Sequence, residues 1–231
     1  MYHKFIAEGE KILREAIMEC PDLIEMIVIQ EGLPPIKDLR FPDHIPVYYL
    51  KQPEFDKISQ LTNTPGILCI IRMPDWNQAL SLKKRWLIYL DGIRDPGNLG
   101  TILRTADWFG FQTILLSSDS VEWSNPKVIQ SAMGSIFRTT CFYGTLEEFI
   151  TQRPGIKVFA ADMNGTDITS FQPPDEGILV LGSESRGISA ATKLLSTPIT
   201  ITKNSRSRAE SLNVAIAAGI LFLKIQNSLL Q

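Results

Sequence analysis

A chain of 231 residues is long for one compact domain and comfortable for two. Its composition, 44% hydrophobic, 21% charged and 9% aromatic, is that of a globular protein and excludes disordered, collagen-like and coiled-coil chains. Lys plus Arg number 23 against 25 Asp plus Glu, a formal net charge of −2, which excludes a bulk polycation for nucleic acid but not a local basic patch. Cys20, Cys69 and Cys141 lie far apart with no CxxC or CxH spacing. An odd, unframed set fits buried thiols in a reduced, cytoplasmic compartment and gives no metal site. Met1-Tyr2-His3-Lys4 leads into a charged amphipathic stretch, unlike a signal peptide. The uncharged segment from Ser211 to Leu223 is shorter than the roughly 20 residues a membrane crossing needs.

In chain order, residues 5–19 place Ile6, Ile12, Leu13, Ala16 and Ile17 on one stripe and predict a helix. Short β-like runs follow at Met26–Ile29, Pro46–Leu50 and Gly66–Ile71, with a short helix from Glu54 to Leu61. Pro34-Pro35, Pro42 and Pro65-Gly66 mark turns. Residues 1–73 therefore read as a small α/β domain. Residues 74–85 read as a linker ending in Lys83-Lys84-Arg85, either a solvated hinge or a face for RNA.

From Trp86 the pattern becomes strand, loop, helix, repeated. Strands are expected at Trp86–Leu90, Thr113–Leu116, Lys157–Ala161, Ile178–Leu181 and Ile199–Thr202. Helices are expected at Leu99–Phe109, Pro126–Gly134, Leu146–Thr151, Ser189–Leu195 and Ser211–Leu229. The strand runs lack polar alternation, so both faces are covered, and the alternation of elements predicts a parallel sheet between two helix layers. Ligands of such sheets bind beyond the carboxyl ends of the strands.

Three of those ends carry unusual residues. In the first, residues 90–110, Pro96-Gly97 and Gly100 bracket a tight turn, Asn98 is placed to cap a helix, and Arg104 and Asp107 follow. Taken alone, this is an Asn cap with an Arg–Asp surface pair at i, i+3. In the second, residues 179–189, Gly182 and Gly187 flank Glu184 at a strand–helix junction where backbone amides can approach a ligand. It matches neither a phosphate loop nor GxGxxG. In the third, residues 199–223, Lys203, Arg206 and Arg208 form a cation cluster, either solvated or in contact with phosphate. Ser211-Leu212-Asn213 then opens a nearly uncharged, small-residue helix suited to a core or a subunit interface.

Together and in this order, the three stretches resemble the motifs of the SpoU (TrmH-like) RNA 2′-O-ribose methyltransferases of the SPOUT superfamily. The first matches at Asp91-Gly92, Asp95-Pro96-Gly97-Asn98-Leu99-Gly100 and Leu103-Arg104-Thr105-Ala106-Asp107. The second keeps Gly182, Glu184 and Gly187, and the third Ser211-Leu212-Asn213-Val214. Asn125–Ile129 also matches a recurring family segment, while Phe5–Lys11 and Thr64–Ile71 are similar to the family's L30e-like substrate-binding domain.

The resemblance implies a trefoil-knotted parallel sheet in residues 86–231, a homodimer, and S-adenosylmethionine (AdoMet) as cofactor. It implies methyl transfer to a ribose 2′-hydroxyl of rRNA or tRNA, with the two-domain architecture and L30e-like N-terminus leaning towards rRNA. It assigns Arg104, Asn98, Glu184, Ser211 and Asn213 to catalysis, and the backbone at Gly182, Ile201 and Leu212 to the cofactor. Arg104, Lys203, Arg206 and Arg208 would meet RNA. Ile201-Thr202 departs from the family's Ile-Pro, and the loop to Ser211 is longer than usual. The competing expectation is a non-catalytic RNA-binding or ribosome-assembly factor that keeps the fold. Residues 1–85 carry 11 Lys/Arg and 12 Asp/Glu, and residues 86–231 carry 12 and 13. RNA contact must therefore come from patches: Lys83-Lys84-Arg85, the 203–208 loop, and Arg94 with Arg138.

Overall fold

Strand β5 (Trp86–Asp91) is buried at every position, a burial that only a strand covered on both faces allows. The computed structural model describes residues 3–76 and 86–230. It pairs β5 in parallel with β6 (Thr113–Leu116) on one side and β9 (Gly177–Gly182) on the other. The full sheet runs β10-β8-β9-β5-β6-β7, with β7 at Thr140–Tyr143, β8 at Val158–Asp167 and β10 at Thr197–Thr200. All five pairings are parallel. Side-chain alternation sends Ile88 and Leu90 to the face covered by α3 (Pro96–Trp108), α4 (Pro126–Ala132) and α7 (Val214–Leu229). Leu87 and Tyr89 point to the other face, under α5 (Leu146–Thr151).

The first residues form a separate four-stranded sheet in the order β1-β4-β2-β3. Its strands are β1 (Lys4–Glu8), β2 (Ile24–Gln30), β3 (Val47–Leu50) and β4 (Ile67–Arg72), with α1 at Glu10–Glu19 and α2 at Gln52–Ile58. Here the expected helix from residue 5 is corrected. Phe5 to Glu8 is a strand antiparallel to β4, and the helix begins only after Gly9. Gly9 sits at φ +103°, open to glycine and closed to most side chains, and it turns the strand into the helix. Ile6 satisfied both periods, so spacing alone could not separate them.

Three smaller corrections follow the same logic. β7 was not expected, because four residues ending in Phe142-Tyr143 carry too little pattern, and pairing with β6 decides it. β10 ends at Thr200 rather than Thr202, because Ile201 and Thr202 have already left the sheet. α7 starts at Val214, with Ser211 and Leu212 outside it. Most of the expected 74–85 linker, including Lys83-Lys84-Arg85, lies outside the described residues.

The two sheets are joined through α1 and the chain after α4. Arg138 donates to Asp107 at 3.0 Å, to Glu15 at 2.5 Å and to Glu19 at 3.2 Å, tying α3 to α1. Gln130 of α4 donates to the Glu8 carbonyl at 2.9 Å. Trp123 completes the joint, edge-on to Phe5 at 5.2 Å and against Trp76 at 4.6 Å. Three carboxylates converge on one guanidinium, which corrects the expectation of Arg138 as part of an RNA patch, and its removal leaves the acids facing each other. Arg138→Ala is expected to lower stability by about 1–3 kcal/mol and to open residues 3–76 to proteases, measured by thermal unfolding and limited proteolysis. Wild-type behaviour in both would show that the aromatic joint suffices.

Candidate active site

The site forms where β9, β10 and α7 meet at the carboxyl end of the sheet. On leaving β9 the chain turns at Gly182, and the Ser183 and Gly187 backbones exchange two hydrogen bonds at 3.1 and 2.8 Å. A Cβ at residue 182 would lie 2.5 Å from the Gly187 carbonyl carbon, so only glycine lets this loop close. The closure lifts Glu184 toward the start of α7. Asp91, buried at the end of β5, accepts the Ser189 amide at 2.8 Å and fixes the far side of the same loop.

Asn213 is the N-cap of α7, its Oδ1 accepting the amides of Ala215 at 3.0 Å and Ile216 at 3.2 Å. Its Nδ2 donates to Asn98 Oδ1 at 2.9 Å and to Glu184 Oε1 at 2.6 Å. The same Glu184 oxygen accepts the Val214 amide at 3.4 Å. A carboxylate at a helix N-terminus is favoured by the helix dipole. One carboxamide therefore joins all three sequence motifs.

Two sequence expectations for the first motif are corrected. The N-cap of α3 is Asp95, whose Oδ1 accepts the Asn98 amide at 2.7 Å. The Asn98 side chain is thereby released to meet Asn213. Asp107 does not pair with Arg104; it is taken by Ser135 at 2.7 Å and by Arg138. Arg104 is exposed and has no ion-pair or hydrogen-bond partner among the described residues.

Beside the Asn213 junction lies a cleft of about 350 Å³, inside the range of small-ligand sites. Of the candidate residues, Gly182, Glu184, Ile201, Ser211 and Leu212 line it. Asn98, Arg104, Asn213, Lys203, Arg206 and Arg208 do not. Lys203 folds back onto the Ala209 carbonyl at 3.1 Å, while the exposed Arg206 and Arg208 side chains have no partner among the described residues. Thr202, where the sequence departs from the family, donates its hydroxyl to Asp167 at the end of β8. A proline there could not make that bond.

Sequence reading missed one wall of the cleft. Asp162, Met163 and Asn164 line it from the carboxyl half of β8, and Lys193 from α6 (Ala190–Leu194). Lys193 meets Asp162 at 2.8 Å, and this hydrogen bond, with the Asn164 amide, holds the Asp162 carboxyl below its usual range. Applying the strand-end rule to β8 would have found Asp162; nothing in the sequence marks Lys193. Among the described residues no cluster of His, Cys, Asp or Glu is placed to hold a metal ion, and no helix is long and apolar enough to cross a membrane.

A parallel sheet with helices on both faces, and the three joined motifs beside a cleft at its carboxyl edge, define a SpoU-type methyltransferase. The SpoU rRNA Methylase family matches residues 85–223, and the chain belongs to that family. It is 30% identical over 220 residues to the 23S rRNA (guanosine(2553)-2′-O)-methyltransferase RlmP of Bacillus subtilis, covering 94% of this chain and 86% of that protein. A TrmH-family structure from Porphyromonas gingivalis superposes with a TM-score of 0.84 at 32% identity, over 97% of this chain and 90% of that one. The AdoMet-bound rRNA methyltransferase of Sinorhizobium meliloti gives 0.81 at 25%, over 99% and 89%.

Asn213→Ala is expected to cost about 1 kcal/mol for the lost cap and to weaken AdoMet binding as the Glu184 loop loosens. Asn213→Asp keeps the cap but sets a carboxylate against Glu184. Calorimetric titration with AdoMet, beside thermal unfolding, is expected to show the aspartate variant binding more weakly than its stability loss explains.

Proposed function

We propose that this chain transfers the methyl group of AdoMet to a ribose 2′-hydroxyl of rRNA. The observation that carries the reading is the Asn213 junction: it draws Asn98 and Glu184 together at the edge of the cleft. Arg104, on the same helix as Asn98, is left exposed and without a partner among the described residues. A scaffold that only bound RNA would need none of this arrangement.

The cleft fits the cofactor's chemistry. Leu181, Ile188, Ile199 and Val214 offer an apolar lining, and Gly182, Ile201 and Leu212 border it. The Asp162 carboxylate stands there as an acceptor for a hydroxyl or amino group. When bound, AdoMet supplies an electrophilic methyl carbon on a sulfonium. The chain's own task is to align the acceptor hydroxyl with that carbon, and positioning is worth several kcal/mol.

Arg104 is the positioning residue, lying about 9 Å beyond Asn98 along α3. Its five N–H donors suit a phosphate and ribose oxygens, and its charge stabilises an oxygen that is losing its proton. A guanidinium is always protonated, so Arg104 does not take that proton itself. Glu184 and Asn213 hold the motif loops, with Ser211 at the cleft wall. Lys203, Arg206 and Arg208 contact RNA phosphates. Residues 1–73 act as a substrate-binding unit joined through 74–85 to the catalytic unit of residues 86–231, in a cytoplasmic enzyme.

The enzyme works as a homodimer. Trp108 of α3 is 83% exposed, and Ile216, Ile220 and Leu223 of α7 are 57%, 38% and 48% exposed. The three α7 residues recur at helical spacing on one face, an apolar strip that a second copy covers, on a helix packed against α3, which carries Trp108. Ile216→Glu is expected to shift the protein from dimer to monomer in light scattering.

The direct test is transfer of radiolabelled methyl from AdoMet to unmodified large-subunit rRNA. Arg104→Ala is expected to bind AdoMet as the wild type does and to lose transfer by ~10²-fold or more. Unchanged turnover overturns the role of Arg104. AdoMet binding without transfer to any rRNA or tRNA by the wild type would favour the non-catalytic factor.

A further inference from the structure

The loop after β9 has two sides, and only one of them faces the cofactor cleft. Gly182, Ser183, Glu184 and Gly187 line the cleft, whereas Arg186 does not. Arg186 instead reaches the loop after β6, where its Nη2 lies 3.6 Å from Asp119 Oδ2. Arg94, in the loop after β5, donates to the same oxygen at 3.1 Å. β9, β5 and β6 are neighbours in the sheet, so three adjacent strand ends bring two guanidinium groups onto one carboxylate.

The carboxylate is itself held in place. The Gly92 amide donates to Ser117 Oγ at 2.7 Å, and the Ser117 hydroxyl donates to Asp119 Oδ1 at 2.8 Å. The Ser117 hydrogen bond first, and then the two arginines, keep the Asp119 carboxyl below its usual range, so it stays charged at neutral pH. Two positive charges against one negative leave the cluster net cationic in a chain whose overall charge is −2. The arginine side chains remain 60% and 58% exposed. Each turns a single nitrogen toward Asp119.

Ion pairs this exposed contribute little to stability, commonly less than about 1 kcal/mol. Their geometry has another use. A guanidinium oriented in advance loses less freedom when it takes an anion, and two together present a fork matched to phosphate oxygens. Arg94 also lies four residues before Asn98, on the loop that leads into α3.

We propose that Arg94 and Arg186, oriented by Asp119, grip a backbone phosphate of the substrate RNA next to the nucleotide presented to Arg104. This rests on the reading of the chain as an RNA methyltransferase. It adds a substrate-positioning pair on the β5–β6 side of the sheet, opposite the cofactor on the β8–β10 side. RNA therefore crosses the strand ends from β6 toward β9, with the motif loops between it and the cofactor.

The test measures binding of purified large-subunit rRNA between 50 and 200 mM KCl for the wild type, Arg94→Ala, Arg186→Ala and the double variant. Each lost phosphate contact is expected to reduce the slope of log K against log salt by about 1, with AdoMet affinity and unfolding temperature near wild type. Lysine at both positions is expected to restore the slope, because counterion release follows charge, but not the full affinity, because it lacks the guanidinium fork; a purely structural role would show as a lowered unfolding temperature instead. A wild-type slope and affinity in the double alanine variant overturns the proposal, and so does their persistence in both single variants should the double not fold. A wild type that methylates rRNA while the alanine variants match it refutes only the arginine pair. A wild type that neither binds nor methylates RNA refutes the underlying reading.

Discussion

The carboxamide of Asn213 is the point on which the site depends. It fastens segments 115 and 29 residues away in the chain, taking Asn98 from the first motif and Glu184 from the second while capping α7 with its own oxygen. An amide side chain suits this position because it carries an acceptor and two donors on one rigid plane. Aspartate would keep the acceptor and lose the donors. Serine would cap the helix but lacks the reach. The cofactor cleft borders this junction, so its shape depends on the helix cap and on the loop closure that Gly182 permits.

The sheet divides the work around that junction. The cleft draws on the carboxyl ends of β8, β9 and β10, with Asp162 and Lys193 forming a wall that lies outside the three motif stretches. Among the described residues exposed positive charge lies elsewhere: Arg104 on α3, Arg206 and Arg208 in the loop before α7, and the Asp119-paired Arg94 and Arg186 over β5 and β9. An acidic chain can thus address a polyanion, because separated patches act over distances comparable to the Debye length while net charge does not. The relation to a 23S rRNA methyltransferase and to an AdoMet-bound rRNA methyltransferase gives this division its chemical sense.

The joint between the two sheets is made differently. Arg138 gathers Asp107, Glu15 and Glu19, and Trp123 packs on Phe5 and Trp76. Asp107 belongs to the helix that carries Arg104. The orientation of the first sheet is therefore linked to α3 by a side chain that the motif pattern alone would have paired with Arg104.

Much of this was legible without coordinates. The apolar runs at Trp86–Leu90 and Ile178–Leu181 announced a buried parallel sheet, since burial on both faces removes polar alternation. The motif residues pointed to strand ends, where backbone groups are free to meet ligands. Gly182, Glu184, Ile201, Ser211 and Leu212 do line one cleft. What periodicity could not resolve was local competition. Residues 5–8 satisfy a strand and a helix alike, and pairing with β4 decided between them. Asn98 and Asp95 both suit a cap, and only the approach of Asn213 shows which one is released. Arg104 and Asp107 are properly spaced to pair, yet Arg138 and Ser135 from the chain after α4 claim the acid. Nor does spacing indicate that Lys193 faces Asp162, or that Asp119 stands between Arg94 and Arg186. Composition, period and motif are properties of short windows, and they determined the fold class and which loops carry the chemistry. The partner of each polar side chain depends on contacts between distant segments, whose distances only the packed tertiary structure sets.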